Sequence, residues 1–160
     1  MARRVWRIGT DTPDYGADDR SGQGAALTSG RWNREGRAVL YTSTSRALAC
    51  LETLVHLGGA VPLPLNRYLV EFTLPDEAWQ ARVTFDREAR AHVGWDAVPA
   101  GLVSLDWGTA WLEADRSLLA VVPSIVVPEE DNVLINPAHP AAATLSVVKQ
   151  RPWRYDLRLG

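Results

Sequence analysis

The chain has 160 residues, 46% of them hydrophobic and 22% charged, which is the composition of one globular domain rather than of a disordered or fibrous chain. Its formal net charge of −2 leaves no basic field to neutralise a run of phosphates, which argues against nucleic acid as a direct partner. One cysteine, Cys50, excludes an internal disulfide, and no apolar stretch reads as a signal peptide or a membrane span, so a cytoplasmic protein with no membrane contact is expected.

Val5 to Ile8 reads as a short strand. Residues 9 to 30 are rich in Gly, Asp and Ser and read as a long loop, of the kind that carries function in a compact domain. Ala38 to Thr42 is a second strand. Ser43-Thr44-Ser45 then offers N-cap hydroxyls to a helix whose apolar stripe runs through Ala47, Leu48, Leu51, Leu54 and Val55. Gly58-Gly59 ends it. Pro62 and Pro64 mark a turn, and Arg67 to Leu74 alternates as a strand up to Pro75. Residues 76 to 101 carry no assignable pattern. Thr109 to Glu113 looks helical, with a start near Ser104. Leu118 to Val122 and Ile125 to Val127 read as one strand interrupted at Pro123-Ser124, and Leu145 to Val148 as another. One prominent helix and about six strands predict an α+β fold, a single domain over residues 1–160 with a mixed, mostly antiparallel sheet.

Several residues stand out chemically. Glu52 borders the apolar stripe of the helix. It either turns its head to water or is paired, hydrogen-bonded or facing a cleft. Gly30-Arg31-Trp32-Asn33 follows the long loop; the glycine permits close approach, and the guanidinium is either an exposed turn residue or a fork for phosphate. Tyr41 is either a half-buried strand residue or a ring and hydroxyl offered to a ligand. Ser124, beside a strand-breaking proline, reads as a bulge that aims a hydroxyl into a cleft; it lacks the elbow and the histidine of a hydrolase nucleophile. His56, His92 and His139 have no metal-ligand spacing with each other or with Cys50, so no metal site is expected, and His56 reads as a structural or surface residue. The seven tryptophans read as core or interface, with Trp32 set apart by its neighbours.

Taken jointly, WRIG, SGQGAALTSGRWNREGRAVLYTSTSRALACLETLVHL and GTAWLEADRSLLAVVPSIVVPEEDNVLINPAHP resemble the RES-domain family over about residues 4 to 155. The resemblance maps the family's arginine, glutamate and serine onto Arg31, Glu52 and Ser124. It implies an ADP-ribosyltransferase-like fold and the toxin of a bacterial toxin–antitoxin pair. Such a toxin degrades NAD⁺ by hydrolysis or phosphorolysis, or transfers ADP-ribose to a protein. NAD⁺ would be the substrate, with no further cofactor, and an Xre-type helix-turn-helix antitoxin the protein partner. On that footing Arg31 and Arg7 are expected to hold the pyrophosphate and Tyr41 to pack on the nicotinamide or its ribose. Glu52 would stabilise the ribose cation, Ser124 would orient Glu52 or the ribose, and Asn33 would add a polar contact. A non-catalytic nucleotide- or partner-binding module is the remaining alternative. Asn136-Pro137 and His139-Pro140 read as a structural turn.

Overall fold

In the computed structural model, which describes residues 2–159, one seven-stranded sheet runs through the molecule. In chain order the elements are β1 (Arg3–Thr10), α1 (Gln23–Thr28), β2 (Leu40–Ser43), α2 (Arg46–Leu57), β3 (Arg67–Leu74), α3 (Asp76–Gln80), β4 (Val83–Thr84), α4 (Leu102–Ala114), β5 (Leu119–Pro123), β6 (Asp131–Ile135) and β7 (Ser146–Pro152). The strands lie in the order β4-β5-β6-β2-β1-β3-β7. Only β4 and β5 run parallel; every other neighbouring pair is antiparallel. This is the α+β architecture with a mixed, mostly antiparallel sheet.

Alternation along the strands builds two faces. Leu119, Val121, Val133 and Ile135 join Val5, Val70 and Phe72 in one core, while Ala120, Val122 and Leu134 face the other way into a cluster of Trp32, Phe85, Trp95 and Trp111. Trp32 is therefore a core residue after all: its ring lies 4.9 Å from Phe85 and 5.7 Å from Trp107, edge to face. A third cluster, Ile8, Leu69, Ala49, Cys50 and Tyr155, seats α2 on β1 and β3.

Helix α2 forms as its sequence dictates. The Ser45 hydroxyl accepts the Leu48 N–H at 3.1 Å, and Gly58 closes the helix at φ 58°, a conformation that suits glycine. α4 is a second long helix, and its apolar residues are spread around it rather than gathered in a stripe. It packs so closely that a methyl group on Gly108 would collide with the Trp32 carbonyl oxygen.

The chain departs from expectation in three places. The long loop contains α1, which has no capping side chain and no acidic first turn to announce it. The strand expected across Pro123-Ser124 stops at Pro123; Ser124 is not a bulge, and residues 125–127 form a bend that runs into a turn at 128–129. That turn delivers β6, an unexpected strand that pairs with both β5 and β2.

The feature that positions the site is a seam. β1 pairs with β3 over eight positions, from Arg3↔Leu74 to Thr10↔Arg67, but with β2 at a single one, Trp6↔Ser43. α2 lies across both strands at this seam.

Candidate active site

A cleft of about 520 Å³ opens along the seam, within the range of small-molecule sites. Arg7 on β1, Arg31 before β2, Tyr41 on β2 and Glu52 on α2 all line it. Ser124 stands behind Glu52, and Asn33 lies beneath the wall. Glu52, Arg31 and Arg7 thus line one cavity.

Glu52 sits in the second turn of α2, half-buried. Its Oε1 accepts two hydrogen bonds of 2.7 Å, one from Ser124 Oγ and one from Asn132 Nδ2. Oε2 has no hydrogen-bond partner among the described residues. Ser124 is fully buried at the exit of β5, and its Oγ accepts the N–H groups of Val126 at 3.0 Å and Val127 at 3.1 Å. Its hydrogen goes to Glu52 and its lone pairs to the backbone, so the hydroxyl has no capacity left to attack a substrate. Asn132, at the start of β6, is absent from the sequence pattern because its link to Glu52 spans 80 residues of chain.

Tyr41 is held by its hydroxyl. Oη donates to Asn33 Oδ1 at 2.6 Å and accepts the Trp32 N–H at 3.1 Å. Burial pushes its ionisation far above the usual tyrosine range, so the phenol stays neutral. With the hydroxyl engaged, the ring is what Tyr41 offers to the cleft. Gly30 allows this approach, since a Cβ there would stand 2.6 Å from Tyr41 Oη.

Asn33 is completely buried. Its Nδ2 donates to the carbonyls of Ala25 at 2.9 Å and Arg37 at 3.0 Å, and its Oδ1 serves Tyr41. Asn33 therefore supports the wall of the cleft instead of offering a polar contact to its contents.

The two arginines differ. Arg31 Nη1 donates to the carbonyls of Trp95 at 3.0 Å and Ala97 at 2.8 Å, which leaves Nε and Nη2 without hydrogen-bond partners among the described residues. Desolvation lowers its pKa, and the charge of Glu52 across the cleft works against that shift. Arg7 Nη2 donates to the carbonyls of Ala17 at 2.7 Å and Asp19 at 3.0 Å. Its Nε is buried with no partner. Burial lowers the Arg7 pKa as well, opposed by Asp19 and Asp18. Both are cations only partly compensated by protein, on residues that line one cleft; Arg31 keeps Nε and Nη2 for an anion, whereas Arg7 Nε is buried.

His56 follows Glu52 by one helical turn and lines the cleft; its Nδ1 lies 2.7 Å from the Glu52 backbone carbonyl. Among the described residues no three His, Cys, Asp or Glu side chains gather to hold a metal ion, and no helix is long and apolar enough to cross a membrane.

The arrangement can bind an anionic ligand by its guanidinium groups and a planar ring by Tyr41, while presenting one carboxylate oxygen to a developing positive charge. Comparison with known proteins agrees with a shared architecture. A sequence-family profile described as RES domain matches residues 4–158. A protein of Sphingobium sp. (strain YBL2) called Prs ADP-ribosylating toxin is 52% identical over 99% of this chain and 98% of its own length. A protein called Toxin Res from Yersinia enterocolitica is 37% identical over 91% of this chain and 93% of its own. In fold, the chain is similar to one from the crystal structure of the M. tuberculosis MbcT-MbcA toxin-antitoxin complex, with a TM-score of 0.57 and 17% identity over 95% of this chain and 86% of that one.

Proposed function

The chain belongs to the RES-domain family, and from that premise we propose that it is the toxin of a toxin–antitoxin pair and cleaves the nicotinamide–ribose bond of NAD⁺. The observation that carries the reading is that Glu52 and Arg31 line one cleft, with Glu52 anchored through Oε1 alone.

The chemistry asks little of acid–base groups. The bond from ribose C1′ to nitrogen breaks with its electron pair going to nicotinamide, which leaves as a neutral molecule. Positive charge builds on the ribose, as in glycoside cleavage. Glu52 Oε2 faces that charge and hydrogen-bonds a ribose hydroxyl, in a site whose donors are already fixed. Arg31, through Nε and Nη2, and Arg7 hold the pyrophosphate. The Tyr41 ring packs on the nicotinamide or its ribose. An acceptor then completes the C1′ bond: water yields ADP-ribose and a proton, inorganic phosphate yields the 1″-phosphate, and a protein side chain yields an ADP-ribosylated protein.

The name of the Sphingobium relative favours the protein acceptor as a second reading. All readings share the cleavage step, so the test follows the product. Purified protein, freed of any antitoxin, is incubated with NAD⁺ labelled in the adenosine half, alone, with phosphate, and with cell extract. Nicotinamide release is expected throughout whatever acceptor is present; label in protein marks transfer, free ADP-ribose hydrolysis, and the 1″-phosphate phosphorolysis. Intact NAD⁺ in all three would overturn the reading. The partner is proposed to be an antitoxin protein, a reading favoured by the likeness to a chain from a toxin–antitoxin complex; its being of the Xre type rests on the RES-family resemblance alone.

A further inference from the structure

Beside Glu52, on the wall of the same cleft, lies a line of polar side chains to which the cleavage chemistry gives no role. Ser43, the last residue of β2, and Asn132, near the start of β6, stand directly opposite each other in the sheet register. Ser43 is buried, and its Oγ donates to Asn132 Oδ1 at 2.7 Å. Asn132 Nδ2 donates to Glu52 Oε1 at 2.7 Å, and Ser124 Oγ reaches the same oxygen from the other side.

The direction of this chain is forced. A carboxylate only accepts hydrogen bonds, so the amide must turn Nδ2 toward Glu52. Its Oδ1 then faces β2, where a hydroxyl donor waits. Turned the other way, the amide oxygen would oppose the carboxylate lone pair to lone pair. The hydrogens therefore run Ser43 to Asn132 to Glu52, with Ser124 completing a pair of charge-assisted bonds on one oxygen.

We propose that Ser43 and Asn132 are positioning residues. They pin Glu52 by Oε1 so that Oε2 alone is presented to the reacting ribose. This deepens the reading of Glu52 given above and rests on it. The sheet supplies the rigidity: β2 and β6 are hydrogen-bonded neighbours, whereas α2, which carries Glu52, belongs to another layer. The charged and titratable groups that line the cleft with Glu52 are Arg31, Arg7, His56, Tyr41, Tyr15 and Asp19, and Asp131, next to Asn132 in the chain, feels the charge of Arg87.

The test uses Asn132→Asp, Ser43→Ala and a side-chain NMR readout on the whole protein. In Asn132→Asp two carboxylates meet, and they hold one proton between them at low pH. That shared proton replaces the amide hydrogen on Oε1. The kcat for nicotinamide release is expected to stand near wild type at the acid end and to fall by roughly tenfold or more as pH rises and the proton leaves, about the worth of one charge-assisted bond. KM for NAD⁺ should change less than kcat, because the Asn132 amide, although it lines the cleft, spends its hydrogen bonds on Ser43 and Glu52. Wild type should lack this fall. Ser43→Ala should lower kcat by up to about tenfold through the same bond.

The Asn132 side-chain amide signals give a second readout that needs no turnover and no folded Ser43 variant. They should shift on Glu52→Gln. If Asn132→Asp keeps the wild-type pH profile, or the amide signals ignore Glu52→Gln, the positioning role is overturned even in an active enzyme. If wild type leaves NAD⁺ intact while the signals do shift, the positioning network stands and the reading of the cleft falls.

Discussion

Ser124 Oγ and Glu52 Oε1 lie 2.7 Å apart although 72 residues of chain separate them. The contact joins the end of β5 to the middle of α2, on the wall of the cleft. It places a fixed hydrogen on one oxygen of the carboxylate and leaves the other open.

Glu52→Gln keeps the shape and an acceptor oxygen for Ser124 and Asn132, but removes the charge that opposes the ribose cation. The rate of nicotinamide release should fall by about 10²–10³ or more, the usual cost of losing one preorganised electrostatic stabiliser. Thermal unfolding should change little. A variant at wild-type rate would remove Glu52 from the chemistry.

Ser124→Ala has a different signature. It deprives Glu52 of one anchor and leaves the N–H groups of Val126 and Val127 without their acceptor in a buried turn. Stability should drop by about 1–3 kcal/mol in urea titration, alongside a loss of kcat. A loss of activity with no loss of stability would mean the turn does not depend on this hydroxyl.

Gly108→Ala sets helix propensity against packing. Alanine favours a helix over glycine by about 1 kcal/mol. The added methyl meets the Trp32 carbonyl, and overpacking of this kind costs about 3 kcal/mol. The clash should win, lowering the melting temperature and disturbing Arg31 next to Trp32. Gly24→Ala in α1, where nothing lies within 4 Å of the new methyl, should instead hold or raise stability.

Tyr41→Phe leaves the Trp32 N–H and Asn33 Oδ1 unpaired, a loss of about 1–3 kcal/mol at neutral pH. Above about pH 10 the unfolded wild-type chain ionises this tyrosine while the folded one keeps its proton. The unfolded state then binds fewer protons, so wild-type stability declines as pH rises. Tyr155 and Lys149, also raised, contribute in the same direction. The stability gap between wild type and Tyr41→Phe isolates position 41 and should narrow between about pH 10 and 12. A constant gap would show that Tyr41 ionises freely in the fold.

Legibility in the sequence followed the locality of the cause. α2 was readable because Ser45, the apolar stripe and Gly58 are local signals, and β3 because alternation ends at a proline. Residues 125–127 misled: three β-favouring residues sit in a bend because the Ser124 hydroxyl binds two of their backbone N–H groups. β6 hid between Asp131 and Asn136, residues that read as turn formers. The segment 76–101 is held by tertiary contacts such as Phe85 against Trp32 at 4.9 Å, with no periodic pattern of its own. In the site, Arg31, Tyr41 and Glu52 stand out from their local sequence and the resemblance to the RES family strengthens each, whereas Arg7 enters through the resemblance alone; all four line one cleft. Trp32 and Asn33, adjacent to Arg31, took on its chemical promise in the sequence but serve as wall and support. Ser43 and Asn132 act only through a bond across the sheet, which no spacing along the chain reveals.

The single rung joining β1 to β2 leaves two slabs of sheet nearly unstitched where the cleft runs. An occupant touching Arg7 on one slab and Tyr41 on the other would lace them together and stabilise the folded chain the more its concentration exceeds its Kd. The melting temperature should therefore rise with ligand concentration, a response rooted in the thin join between the two slabs.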